Sequence, residues 1–353
     1  MKRTWMAAGL AVLLCLPRAM AEETDSQATG SGSYFAAWTG EEEETSLTAP
    51  QTQTGSTFTA PTCECDSCDA CGTHCYDLCN KGRLFGLFAP SDVGFWRFIS
   101  PMTNPVYFED PRTLTEARPI FIQHKIPFRA PLAGGDVQIY AVQLRAALTE
   151  NLSVIATKDG FIVSGANGPA QDGWANVNAG LKYNLYKDYD LQRILSAAVV
   201  FEMPVGSTRA LQGNGSGVFD LILTGAAQLN EYWRTVSAIG IKLPSDVVDN
   251  SQSSYWSLHF DRTLGTKGWY FLTEYNWYHW IRSGEGGIPG IEGLDFYNFG
   301  STGVAGHNIV TGAIGLKYKP NAYREYGICW EAPLTDRRDI LDNRLTVDAI
   351  FRF

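Results

Sequence analysis

Residues 344–353 read Arg344-Leu345-Thr346-Val347-Asp348-Ala349-Ile350-Phe351-Arg352-Phe353. Leu345, Val347, Ala349, Phe351 and Phe353 alternate with Arg344, Thr346, Asp348, Ile350 and Arg352. Residues 174–185 repeat the pattern, with Ala175, Val177, Ala179, Leu181, Tyr183 and Leu185 on one parity. So do residues 219–229, with Phe219, Leu221, Leu223, Ala227 and Leu229. A period of two puts one face of a strand in an apolar medium and the other in a polar one. A soluble β-sandwich would do the same, so strand number and length must decide. Period two predicts twelve strands: 117–128, 135–148, 152–164, 173–187, 189–203, 215–229, 232–244, 252–263, 267–282, 305–319, 321–332 and 343–353. Most exceed the ~5–6 residues of a typical globular strand. Each can hold the ~9–11 residues that cross a bilayer at a tilt.

The connections sharpen the reading. Very short turns at Thr149-Glu150-Asn151, Asp188, Asn230-Glu231, Leu264-Gly265-Thr266 and Asn321 alternate with longer joins at 129–134, 165–172, 204–214, 245–251, 283–304 and 333–342. With both termini on one side, every short turn falls on that side. An even strand count with short periplasmic turns and long external loops marks an antiparallel transmembrane β-barrel. Aromatic residues cluster toward both strand ends. Tyr183, Tyr189, Tyr232, Trp233, Trp269 and Tyr318 lie near the short turns. Trp174, Tyr255, Trp256, Trp277, Trp280 and Trp330 lie near the long loops. Two such belts suit the two interfaces of a bilayer. The expected fold is all-β, a barrel of about twelve strands over 117–353 in the outer membrane, in contact with its lipid.

Phe351 and Phe353, with alternate apolar residues back to Leu345, resemble the C-terminal signal of bacterial outer-membrane barrels. That resemblance implies recognition by the barrel-assembly machinery. The twelve-strand layout also resembles the transporter-like barrels associated with phenol meta-degradation gene clusters. It implies a channel or transporter function.

Composition excludes other classes. Charged residues are 18% of the chain, and mean hydropathy is −0.13. Beyond residue 21 no apolar run reaches the ~18 residues of a spanning helix, so a helical membrane bundle is out. Residues 22–79 carry eleven Asp or Glu and no Lys or Arg. The rest is nearly neutral, which is not the basic footprint of a nucleic-acid binder. Lys2 and Arg3, the apolar stretch Met6–Leu16 and Ala19-Met20-Ala21 read as a signal peptide over 1–21. Residues 22–62, rich in Ser, Thr, Gly and Glu, read as a disordered acidic leader. Residues 63–83 contain Cys63, Cys65, Cys68, Cys71, Cys75 and Cys79. In an oxidising compartment they form disulfides, whose pairing spacing cannot select. The same thiolates, with His74, also fit a tetrahedral metal site. No other cofactor is expected.

Residues 84–116 hold Pro101, Pro105 and Pro111 within eleven positions. They exclude regular structure there and leave two readings, a periplasmic connector or a plug inside the lumen. The polar parity of the strands should face inward. It includes Lys125, Arg145, Lys182, Arg234, Glu274, Asp348 and Arg352, and with both signs present these line a solute path or close it as ion pairs. Loop 283–304 carries Phe296, Tyr297 and Phe299, which either hold an apolar solute or decorate an external loop. No nucleophile elbow or metalloprotease motif occurs, so an enzyme is not expected. Passive passage of small solutes, among them hydrophobic or aromatic ones, is the leading function. A partner-binding barrel with a blocked lumen and a Cys-rich leader is the alternative.

Overall fold

The computed structural model describes residues 82–128, 133–265 and 267–353. The signal segment, the acidic leader and the six clustered cysteines lie outside the described residues. The strands are β1 (Glu116–Ile126), β2 (Gly135–Ala147), β3 (Leu152–Ala156), β4 (Phe161–Ala166), β5 (Gly173–Trp174), β6 (Val177–Asp188) and β7 (Arg193–Met203). They continue as β8 (Val218–Gln228), β9 (Trp233–Pro244), β10 (Gln252–Leu264), β11 (Trp269–Arg282), β12 (Asn308–Asn321), β13 (Arg324–Pro333) and β14 (Asn343–Arg352). Every pairing between the described strands is antiparallel, and β1 bonds both β2 and β14, which closes the sheet. The β3 and β4 segments both pair with β2 and follow one another along a single stave. The β5 and β6 segments pair with β4 and β3 in the same way. The fourteen segments therefore make a closed barrel of twelve staves. Closure leaves no open edge, which a sheet surrounded by hydrocarbon requires.

The distribution of exposure is inverted relative to a soluble protein. On β8, Phe219 and Leu221 are 46% and 41% exposed, whereas Asp220 and Thr224 between and beyond them are buried. On β14, Val347 and Phe351 face out while Arg344, Asp348 and Arg352 are buried. Large apolar side chains outside and charges inside suit a wall bathed in lipid. The outward rings also pair along the wall. Trp269 lies 4.9 Å from Tyr318 and Phe201 lies 4.7 Å from Phe219. Phe351 meets Tyr326 edge-on.

Three orientations differ from the sequence expectation. Lys125 is exposed on the outer face, because Ile120, Ile122, His124 and Ile126 hold the inward parity of β1. Tyr255 and Trp280 are not interfacial. Both are buried inside, where Tyr255 stacks on Tyr107 and Trp280 lies beneath Arg337. These aliphatic and aromatic groups can point inward because they meet protein there rather than water.

One stave is broken at Thr157–Gly160. Thr157 and Lys158 are both buried, so the two-residue alternation slips. Asn178 Oδ1 accepts both backbone N–H groups at 2.7 Å, and Asp159 accepts the N–H of Val142 at 2.9 Å. Gly160, at φ 108°, makes the turn back into the wall, where a side chain would strike the backbone of Tyr140 and Ala141.

Candidate functional site

The barrel interior is occupied by the chain itself. Residues 89–92 hook onto the short-turn rim. Ala89 N donates to Ala147 O and Ser91 N to Phe353 O, both at 2.7 Å. From there Phe95, Phe98, Ile99 and Met102 enter the interior and are buried. The backbone reverses at Asn104, whose φ is 50° and whose carbonyl accepts from Tyr107 and Phe108 N–H. Residues 108–115 then return to β1. No residue of 98–113 belongs to the sheet.

Proline explains how so irregular a segment is held. Each X-Pro step favours extended or turn backbone and removes a donor. The carbonyls stay free, and wall donors use them. Arg118 Nη2 donates to Pro101 O at 2.6 Å and Gln143 Nε2 to Pro105 O at 2.6 Å. Asn184 Nδ2 and Ser196 Oγ donate to Pro111 O at 2.8 and 2.6 Å. On the opposite wall Glu274 accepts Met102 N at 2.8 Å and Thr103 N at 2.6 Å. His259 Nδ1 lies 2.7 Å from the same carboxylate. At the tip Tyr107 stacks on Tyr255 with ring centroids 4.9 Å apart, and its hydroxyl bonds Lys242.

The strongest tie is ionic. Glu109 receives Arg145 Nη2 at 2.5 Å and Lys182 Nζ at 2.6 Å, all three buried. Arg145 also reaches Glu116 at 3.0 Å, and Glu116 pairs with Arg352 at 2.8 Å. Asp110 is bound by Arg112 at 2.6 Å within the segment. Burial alone would raise the Glu109 and Asp110 carboxyls. The cations of Arg145 and Lys182, and of Arg112, outweigh it and hold both below the ordinary carboxylate range. Both therefore stay ionised and attached at neutral pH.

Of the residues expected to face the lumen, Arg145, Lys182, Glu274 and Arg352 contact this segment directly, Arg352 through Ser100 Oγ at 3.0 Å. Asp348 acts through Arg118, which it binds at 2.9 Å. Arg234 lies apart, near the short-turn mouth, bound to Asp261 at 2.7 Å and Thr263 at 2.6 Å. Sequence reasoning missed Glu109 and Arg118. The signal present for Glu109 was an acidic pair, Glu109-Asp110, next to Pro111 in a segment otherwise rich in apolar residues.

Loop 283–304 folds inward at the other mouth. Phe296, Tyr297 and Phe299 are buried, and the last two stack at 5.4 Å. Arg344 clamps Asp295 at 2.9 and 3.1 Å and lies over the Phe296 ring. Glu292 organises the loop, accepting Ser251 Oγ at 2.6 Å, Ser301 N at 2.8 Å and Phe299 N at 3.0 Å. Phe351 lies on the outer wall, and Phe353 N donates to Thr115 O at 2.9 Å. Cys329 is a free buried thiol on the inner wall. Ser257 and His259 share the inner face, but His259 is held between Glu274 and Asp261, and Ser257 accepts from Asn104.

No family model matches this chain, and no curated protein matches it. Solved structures do. An outer-membrane channel from Pseudomonas putida F1 superposes with a TM-score of 0.52 at 13% identity, covering 72% of this chain and 100% of that one. The KdgM porin in complex with disordered oligogalacturonate gives 0.41 at 10% identity, over 67% of this chain and 99% of that one. The CymD monoaromatic hydrocarbon channel gives 0.37 at 9% identity, over 68% and 88%. The chain has the fold of outer-membrane barrel channels.

Proposed function

We propose that this protein is a passive outer-membrane channel for small solutes, including apolar and aromatic ones, held shut by residues 98–113. The observation that carries the proposal is the way that segment is attached. It crosses the lumen without joining the sheet, on hydrogen bonds and ion pairs that water can replace once it leaves. Twelve strands enclose an interior between the side-chain-filled eight-stranded barrel and the open sixteen-stranded one. Removing an internal strap from such a barrel leaves room for a path. Barrel-assembly machinery inserts the chain into the membrane and lipid surrounds it. Catalysis has no part in this reading, in which His259 joins Glu274 to Asp261 within the wall network.

The filled lumen also favours a second reading, a permanently blocked barrel whose Cys-rich leader binds a metal or a periplasmic partner. Proteoliposomes separate the two. Entry of arabinose and of benzoate should be slow through the wild type and at least about tenfold faster through Glu109→Ala, whose loss unties the segment. A folded variant that admits neither solute faster than wild type would favour the scaffold.

A further inference from the structure

A cavity lies at the short-turn mouth, the periplasmic one in barrels of this type. Its volume is about 1010 Å³, the upper end of the roughly 300–1,000 Å³ range of small-molecule sites. One side is the start of the luminal segment, with Val93, Trp96 and Arg97. The other side is the wall from β9 to β12, where Tyr270 and Lys319 project inward, and the turn carrying Lys267. The lining is mainly ring and aliphatic surface, yet four cations border it and Glu231 is the one carboxylate residue among those lining it.

Those cations fall into two pairs. Arg234 is committed to Asp261 and stacks over Tyr270 at 5.0 Å. Lys319 is committed to Glu325 at 3.0 Å and to the Phe98 carbonyl at 2.6 Å. Lys267 and Arg97 carry no ion pair among the described residues, and Arg97 lies over the Trp96 ring at 5.7 Å. Apolar lining disfavours an anion unless a cation meets it. Ring faces and uncompensated cations together select a ligand with a flat apolar body and one negative end.

We infer that this vestibule binds an aromatic carboxylate, its ring against the exposed face of Trp96 and its carboxylate on Arg97 and Lys267. The inference rests on the channel reading and names a solute class for it, placing a binding step where a solute would leave or enter the lumen.

The test uses refolded wild-type protein in detergent with 4-fluorobenzoate as the probe, followed by fluorine NMR line broadening. Saturable binding is expected. Arg97→Gln and Lys267→Gln should each weaken it about tenfold, the loss of one charge-assisted contact. Both side chains are exposed, so the barrel should fold in each variant, which heat-modifiable gel mobility checks. Lys125→Gln, on the outer wall, should bind as wild type does. On the wild type alone, 4-fluorotoluene should compete at least about tenfold more weakly than benzoate. Three results would each overturn the site: no saturable binding, binding indifferent to both substitutions, or equal competition by the neutral ring. If a barrel freed of its segment conducts while the probe does not bind, this site is wrong and the channel reading stands.

Discussion

Two pieces of chain fill this barrel, and they differ in how much of their attachment is wall charge. Residues 98–113 lie on the wall through groups that belong to the wall: Arg145 and Lys182 on Glu109, Glu274 on Met102 and Thr103, Arg118 on Pro101. Loop 283–304 meets the wall through one buried ion pair, Arg344 on Asp295, and is otherwise framed by Glu292 on backbone N–H groups of the loop, with Phe296, Tyr297 and Phe299 packed beneath. The first is a strap whose attachment centres on several buried charges, with Phe98, Met102 and Tyr107 packed beside them. The second is a cap whose attachment adds apolar packing and a short hydrogen-bonded frame to a single ion pair. A strap of the first kind detaches as a unit once its ion pairs are broken. A cap of the second kind loosens locally.

Breaking the strap should have the largest effect. Glu109→Ala leaves Arg145 and Lys182 short of a buried partner, and removing one member of such a cluster costs roughly 3–5 kcal/mol. The folded barrel should lose thermal stability by that amount, read as a downward shift in the temperature at which its gel mobility changes, and should gain conductance. Acid makes the same cut gradually. Glu109 and Asp110 titrate below the ordinary carboxylate range in the folded state. Their contribution is complete above the unfolded value of about 4 and is lost as pH falls through the folded value. A barrel that stays shut from neutral pH to about pH 4 and opens only below it fits the account. Opening near pH 6 does not.

The cap is tested by Phe296→Ala, which removes a buried ring at a cost of about 3 kcal/mol, near the low end for such a truncation. Protease cleavage within 283–304 should become faster while the closed conductance persists, because the strap below is untouched. If this variant conducts as freely as Glu109→Ala, the distinction between strap and cap fails. The smallest effect is expected at Lys125→Gln. It sits on the outer face, where surface substitutions fall within about 0.5 kcal/mol, and both stability and conductance should match wild type.

The wall was legible in the sequence because lipid imposes period two on every strand, and Phe219-Asp220-Leu221 carries it plainly. Lys125, Tyr255 and Trp280 were misread because polarity marks the inner face only where that face meets water. Ile122 and Ile126 face inward beside Lys125, and Tyr255 faces inward to meet Tyr107. The path of 98–113 had no periodic signature. Its three prolines announced irregular backbone but not its location, which is set by partners more than thirty residues away, such as Arg145 for Glu109 and Glu274 for Thr103. The loop aromatics at Phe296, Tyr297 and Phe299 were visible as a cluster. Their burial depends on Arg344 and Asp295 meeting across the fold.

Single-channel recording in a planar bilayer tests the central claim most directly, comparing refolded wild type with a folded variant lacking residues 22–113. The account predicts a silent wild type and discrete, reproducible current steps from the shortened barrel. A shortened barrel as silent as wild type, or a wild type with the same steps, would contradict it.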